Sequence, residues 1–322
     1  MARRRNRAVD WLVYAAVRVV VAVVQMLSLR SAYKLAAGLA WLAYHVDRRH
    51  REVARDNLRH AFPERFRDAP DAERACDRTV RAVYRHFCTL LIEIIQTPRR
   101  LTLANWRDYA ILPDGGALLR VLLSGRPVLI ATGHFGNWEL AGYILNLLGF
   151  TTHAIARPLD NPYLDAYLRR FREHTGQKIL AKKGDFDRMT EVLASGGILA
   201  TLADQDAGQR GLFVDFFNRP ASTHKAIALM AMEYEVLIMV TGVVRVGEPM
   251  RYQVVLEDVI DPRDYANQPD PVRAITQRYM SALERIIRAY PEQYFWLHRR
   301  WKHQPKVKLP SAGQPPAPSK AA

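Results

Sequence analysis

Two cysteines in 322 residues are too few to frame a disulfide-stapled secreted fold, and Cys76 and Cys88 follow no metal-binding spacing. Both fall in a helix-like stretch, so they read as reduced residues in or near a core, with a reducing compartment around the body. HExxH is absent, as are any zinc spacing and any RNA-binding aromatic signature, which leaves metalloprotease and nucleic-acid readings without a motif. No internal repeat appears. The one low-complexity stretch is the Pro/Ala/Ser tail at 305–322, expected to be disordered. Acidic residues are scarce at the two ends: residues 1–60 hold 12 Lys or Arg against 4 Asp or Glu, and residues 298–322 hold 6 against none. The stretch between them is nearly balanced, 29 against 28, although the whole chain carries +15. A near-neutral body between two cationic ends favours an anionic surface partner, membrane or nucleic acid, over a uniformly basic binding fold. With 49% apolar and 25% charged residues the composition is globular, which excludes a disordered or fibrous chain.

Long apolar runs are confined to the start. Residues 11–29 are almost wholly apolar, broken by Arg18 and Gln25. Their aliphatic residues offer about −3 to −5 kcal/mol on an insertion scale, and a central Arg18 costs about +3, so spanning is marginal. A second apolar stretch, 33–46, follows directly. Arg3, Arg4, Arg5 and Arg7 precede the first stretch, and Arg30, Lys34, Arg48, Arg49 and Arg51 follow it. That symmetry does not suit the positive-inside rule, whereas an interfacial anchor on an anionic leaflet accommodates both clusters. A cleaved signal peptide and a buried helical hairpin are the competing readings; Arg18 and the lack of a small-residue cleavage site count against the first. The chain then divides into an anchoring segment (1–30), a helical region packing on the body (31–97), an α/β body (98–303) and the tail (304–322).

Residues 47–97 read as amphipathic helices broken near Phe62-Pro63 and Ala69-Pro70. From 115 onward, helix and strand alternate. Strands are expected at 127–132 (PVLIAT), 151–156, 197–203, 236–246 and 252–257. Helices are expected at 115–123, 138–148, 162–174, 185–195, 221–234 and 271–289. Apolar strands separated by crossover helices predict a mixed, mostly parallel sheet covered by helices, with ligands gathering at the carboxyl ends of the strands.

One such end carries His134-Phe135-Gly136-Asn137-Trp138-Glu139. Gly136 permits a tight backbone, Asn137 is a good helix N-cap, and Glu139 falls in the first helical turn. On one continuous helix the two side chains would diverge, but a loop followed by a helix start lets Glu139 reach back to the imidazole. The exposed N–H groups of the helix start add an oxyanion or phosphate site. A His–carboxylate pair with no nucleophile beside it suits direct acyl transfer to an alcohol, with histidine as general base. The plain alternative is a loop histidine bonded to backbone and a glutamate meeting the helix dipole.

The hexapeptide resembles the HX4(D/E) motif of the late (secondary) lipid A acyltransferases, in the lysophospholipid acyltransferase superfamily. The resemblance continues through Asn57-Leu58-Arg59-His60-Ala61-Phe62-Pro63, Arg157-Pro158-Leu159-Asp160-Asn161-Pro162 and Arg172 to Gly176. It extends over Asp204-Gln205-Asp206, Val214-Asp215-Phe216-Phe217 and Pro220 to Thr223, and closes on the stretch from Pro291 to Lys302. It implies transfer of a fatty acyl chain from acyl carrier protein to a hydroxyl of a lipid A precursor, an acylated, phosphorylated glucosamine disaccharide. It also implies work at the cytoplasmic face of a Gram-negative inner membrane, with no cofactor and no metal. His134 and Glu139 are then the catalytic pair, and Gly136, Asn137, Arg157, Asp204, Gln205 and Asp206 are the substrate-binding candidates.

Each of these has a structural alternative. Arg157 at a strand end suits a phosphate of the acceptor or of the carrier's arm, or an ion pair with Asp160. Asp204 and Asp206 suit the site or an Asx turn; Gln205 suits donation to an acceptor oxygen; Thr223 reads as a helix cap. The run Arg169-Arg170-Phe171-Arg172 is either a solvated helix face or a substrate-steering patch. Trp296, Trp301, Arg299, Arg300 and Lys302 form a basic, aromatic interfacial anchor unless they pack on the body. Met230, Met232 and Met239 are core fillers. An apolar acyl tunnel is expected to draw on the helical region 31–97. Acyl transfer to another glycolipid or to a lysophospholipid is the nearest other activity, and a non-catalytic basic membrane-binding protein the reading from another class. The near-neutral body speaks against nucleic acid.

Overall fold

The computed structural model describes residues 6–112, 116–174, 176–182, 184–247 and 249–305. The basic residues before Asn6, and residues 306–322 of the tail expected to be disordered, lie outside this range. The chain opens with α1 (Arg7–Met26), α2 (Leu29–Val46), α3 (Arg48–Ala61), the short α4 (Pro63–Phe66) and the long α5 (Ala72–Arg100). Asn6, Ser28 and Asp47 each accept from an N–H in the following helix's first turns, so sequence-local caps separate the first three helices.

The body follows as α6 (Trp106–Tyr109), β1 (Ala110–Ile111), α7 (Gly116–Leu122), β2 (Val128–Thr132), α8 (Trp138–Leu147), β3 (Thr152–Ala156) and α9 (Pro162–Glu173). Next come β4 (Lys178–Ala181), α10 (Phe186–Ala194), β5 (Ile198–Leu202), β6 (Leu212–Asp215), β7 (Pro220–Thr223) and α11 (Ala226–Glu233). It closes with β8 (Leu237–Arg245), β9 (Tyr252–Ile260) and α12 (Pro271–Ala289). Seven strands form one sheet in the order β1-β9-β8-β2-β5-β3-β4. All its pairings are parallel except the β8–β9 hairpin. The expected mixed, mostly parallel sheet is what forms.

The strands are apolar along their length because both faces are covered. Leu129 and Ala131 of β2 enter a core built with α3, α5, α10, α11 and α12, while Val128 and Ile130 enter a second core under α7 and α8. Four strands were not anticipated: β1, β4 and the separate antiparallel hairpin β6–β7. That hairpin corrects the helix expected over 221–234, which begins only at Ala226. Its turn is a two-residue one, Phe217 and Asn218 both at positive φ (54° and 57°), with Phe216 N–H bonded to the Arg219 carbonyl. Paired left-handed residues match the twist of a hairpin, and Phe217 is held there by complete burial.

The first two helices lie on the body with their apolar faces outward. Trp11, Leu12, Val19, Val20 and Val23 of α1, and Leu39, Trp41, Leu42 and Val46 of α2, are exposed. A buried hairpin is therefore not what these residues make. α1 is long and apolar enough to cross a membrane by length and composition, yet the body holds it near both ends. Asn161 donates to the Asp10 carbonyl at 2.9 Å, and Gln96 to the Val24 carbonyl at 2.6 Å.

Candidate active site

The register of two neighbouring parallel strands brings the key side chains together. Thr132, the last residue of β2, pairs with Leu202, the last of β5. Two residues further along each strand stand His134 and Asp204. Asp204 is fully buried, and both its oxygens are engaged by the same residue: Oδ1 lies 2.9 Å from His134 Nδ1, and Oδ2 accepts the His134 backbone N–H at 2.9 Å. The approach is close enough that a Cβ on Gly133 would stand 3.3 Å from the carboxylate.

This differs from the expected pairing. Glu139 is bonded to Arg172 of α9, whose Nε donates to Oε2 at 2.9 Å while Nη2 engages Oε1. The helix start does turn Glu139 toward the site, but the guanidinium takes both its oxygens. Arg172 is thus neither a solvated face nor a free steering charge, and its role was missed; the one signal was its place in the family-like stretch. For the imidazole, burial favours the neutral ring, but the charges of Asp204 and then Glu139 outweigh it and raise the His134 pKa above the ordinary value. Burial opposes the Asp204 charge too, yet His134 holds its carboxyl down at about 2. With Nδ1–H directed at Asp204, Nε2 faces outward as the available base. The Gln205 amide lies 3.4 Å from it.

Aromatic rings wall this nitrogen. Trp138 and Phe295 stand 5.3 and 6.1 Å from the imidazole by ring centres, and Phe87 of α5 touches both. Phe295 N–H bonds the His134 carbonyl at 3.0 Å, so the carboxy-terminal stretch forms the back of the site. Trp296, Arg300 and Trp301 are accordingly buried, so of the two readings they follow the one that packs on the body, while Arg299 and Lys302 stay exposed. Arg300 donates to the Ser222 carbonyl and to the Thr223 hydroxyl, so Thr223 is a strand-end acceptor and not a helix cap.

Other candidates fall in different places. Gly136, at φ 57°, packs so close to Val243 that a Cβ would overlap its carbonyl oxygen. Asn137 caps α8 by accepting from Leu140 N–H, and its amide donates to Tyr252 at 3.0 Å, all of it buried. The Gly136 and Asn137 N–H groups bond the Gln293 and Val243 carbonyls, which leaves the Trp138 and Glu139 amides as the oxyanion candidates at the helix start. Asp206 accepts from Gly208 N–H and from His303 Nδ1, the latter at 2.7 Å. Arg157 is 80% exposed and paired with Asp160 at 3.0 Å.

From this edge a narrow, mostly apolar cleft of about 90 Å³ runs between α8 and the strands. Trp138, Glu139 and Arg172 stand at one end, and Ala141, Gly142 and Leu145 line its length. Ile130, Ala141 and Leu145 also border a second cleft, under α7, whose lining side chains are apolar save for Thr241. Neither cleft is lined by residues 31–97; α8 supplies a wall of both.

The chain matches the family model described as "Bacterial lipid A biosynthesis acyltransferase" over residues 2–303. It is 26% identical over 307 residues to the lipid A biosynthesis lauroyltransferase of Escherichia coli, covering 92% of this chain and 93% of that one. A lipid A biosynthesis acyltransferase of Haemophilus influenzae is 27% identical over 283 residues, 85% of each chain. A phosphatidylinositol mannoside acyltransferase of Mycobacterium tuberculosis is 27% identical over 184 residues, 56% of each.

Proposed function

Because this chain belongs to the bacterial lipid A biosynthesis acyltransferase family and so serves acyl transfer in lipid A biosynthesis, we propose that it moves a fatty acyl chain directly from acyl carrier protein to a hydroxyl of a lipid A precursor, with His134 as general base. The observation that carries this is the outward Nε2 of the Asp204-held His134 beside an apolar cleft, with Trp138 and Glu139 between them. His134 takes the acceptor hydroxyl's proton as its oxygen attacks the thioester carbon. The carbon–sulfur bond breaks, and the imidazolium returns the proton to the leaving thiolate. Asp204 holds the ring and stabilises its charged form, as an orienting carboxylate does. Glu139, fixed by Arg172, adds negative potential for the same imidazolium. The cleft takes the acyl chain. No serine or cysteine stands between His134 and Glu139, so no acyl-enzyme is needed. Gln205 is placed to meet an acceptor oxygen, and Gly136 and Asn137 act by shaping the turn. Asp206, turned toward His303, and the exposed Arg157 are placed to serve substrate only at the rim.

The same reading puts the protein on the anionic inner leaflet with its body cytoplasmic. α1, held by the body near both ends and apolar outward, suits a helix lying in the interface better than one crossing it.

The test is transfer of labelled acyl chains from acyl carrier protein to purified lipid A precursor, followed by mass spectrometry. Product from the wild-type protein and a loss of about 10²–10⁴-fold in folded His134→Ala support the reading. Near-wild-type rates in that variant, acyl transfer only to a mannoside or lysophospholipid, or an acylated peptide formed at turnover-competent rates with donor alone would overturn it.

A further inference from the structure

Beneath the His134 turn, three elements remote in sequence meet in a chain of buried polar groups. Glu93 of α5 has no exposed surface, and Arg245, the last residue of β8, grips it with two arms, Nε to Oε1 at 2.9 Å and Nη2 to Oε2. Tyr33 of α2 donates its hydroxyl to the same carboxylate and accepts the Met250 N–H at 2.9 Å. The remaining arm, Arg245 Nη1, lies 2.8 Å from Nδ1 of His86, itself buried on α5. A guanidinium only donates, so Nδ1 accepts and the ring proton sits on Nε2. That nitrogen lies 3.2 Å from the Gly136 carbonyl oxygen and donates to it. Burial first, and then the Arg245 charge, push the His86 pKa down to about 3, which keeps the ring neutral at any working pH.

Gly136 is the second residue after His134 and immediately precedes the cap of α8. Its N–H is bonded to the Gln293 carbonyl at 2.9 Å. Gln293 in turn accepts from Arg245 N–H and donates to the Arg245 carbonyl. The direction of the Gly136 carbonyl sets the plane of the peptide that leads into α8, and so where Trp138 and Glu139 begin relative to His134. The only side chain bonded to that carbonyl among the described residues is His86.

We infer that His86 is a positioning residue for acyl transfer: clamped by the Arg245–Glu93 pair, its Nε2–H fixes the Gly136 carbonyl and through it the separation of His134 from Trp138 and Glu139. The inference rests on His134 being the base. Misplacement of reacting groups by about 1 Å costs on the order of 10²-fold in rate, so the effect belongs in kcat.

Three variants of the full chain test it: His86→Gln, His86→Asn and His86→Phe, each measured for kcat, both KM values and thermal midpoint. Glutamine carries an acceptor oxygen and a donor N–H₂ and serves both partners; asparagine is a methylene shorter and cannot span them; phenylalanine fills the space and bonds neither. The expected result is kcat within about threefold of wild type for Gln, and a loss of about tenfold or more for Asn and Phe with KM nearly unchanged. A purely structural role would lower the midpoint and leave kcat per folded molecule at the wild-type value in all three, which overturns the proposal. If His86→Phe does not fold, equal kcat for Gln and Asn overturns it, and so does failure of all three to fold. An active His134→Ala would defeat the base reading instead, whereas an inactive His134→Ala beside unaffected His86 variants would defeat positioning alone.

Discussion

His134 and Arg157 follow two parallel strands of one sheet, β2 and β3, that lie on either side of β5, yet their surroundings diverge. His134 is walled by Trp138 and Phe295 and bound to a carboxylate with no exposed surface. Arg157 is 80% exposed and answers to an Asp160 that is 68% exposed. Position at a strand's carboxyl end is common to both. What separates them is water. In the buried pair each charge is worth more and costs more to lose, whereas solvent screens the exposed pair to about 0–1 kcal/mol.

The largest effect expected from that contrast is at Asp204. Asp204→Asn keeps the shape but removes the charge that stabilises the imidazolium and turns one hydrogen bond from acceptance to a choice of tautomer. A loss of about 10²–10³-fold in kcat is expected. The pH profile gives a sharper reading. With Asp204 in place the His134 pKa is raised, so the acid limb of kcat/KM should lie above the ~6.5 of ordinary imidazole, activity rising as the ring loses its proton. Linkage runs the other way for stability. The raised pKa contributes stability in full below ~6.5, and that contribution disappears as pH climbs through the folded value. In Asp204→Asn, burial becomes the dominant influence and the limb should fall to lower pH. A limb that stays put would show that Asp204 does not control the base.

Glu139 comes second. Glu139→Gln preserves one contact to Arg172, removes a charge that helps raise the His134 pKa, and leaves a part-buried guanidinium poorly matched. About 10–100-fold in kcat is expected, less than for Asp204→Asn, together with about 1–3 kcal/mol of stability by thermal unfolding. A larger kcat loss than at Asp204 would restore Glu139 as the direct partner of the imidazole in the reacting complex.

How much of this could be read beforehand follows the same divide between local and non-local information. The strand PVLIAT, the turn after it and the Asn137 cap are local, and they stand within a residue or two of where they were expected. The sheet order is not local, and with it went the identity of the partner for His134. Asp204 was named for the site, but only the β2–β5 register makes it adjacent. Arg172 and the burial of Trp296, Arg300 and Trp301 are likewise tertiary: composition made the last three an amphipathic surface motif, and contacts with Phe216, Phe217 and Thr223 made them core. Strand β7 was missed because the stretch from Ala221 reads as a helix, with Thr223 as its cap, until β6 is known to pair with it.

The cleft offers a third, smaller effect. Gly142 lines it, and the nearest atoms a Cβ there would meet belong to the end of the Gln177 side chain, itself part of the cleft wall and bonded to Thr152. Gly142→Leu should fold and shorten the space beside Leu145, shifting preference toward shorter acyl donors by about 1–3 kcal/mol of discrimination, measured as kcat/KM across a series of chain lengths. Uniform loss across the series would mean that the acyl chain lies elsewhere.

Arg157 should give the smallest effect on stability and on kcat. Removing it breaks only the exposed contact to Asp160, so Arg157→Ala should leave the thermal midpoint unchanged. Any catalytic consequence must come from a substrate that excludes water on arrival. If a phosphate docks there, a charge-assisted contact of roughly 1.5–3 kcal/mol is lost and KM for that partner rises about one to two decades, with kcat untouched. Screening lowers that ceiling if the bound state stays wet, and raising the salt would then erase most of the difference between wild type and variant. Lysine should recover part of it, since it restores charge without the planar two-pronged geometry. Varying donor and acceptor separately assigns the phosphate to one of them. Unchanged KM for both, at low salt, would leave Arg157 as a solvated surface pair, and the comparison with His134 would then hold in its strongest form: of two strand ends in one sheet, only the dry one takes part in the reaction.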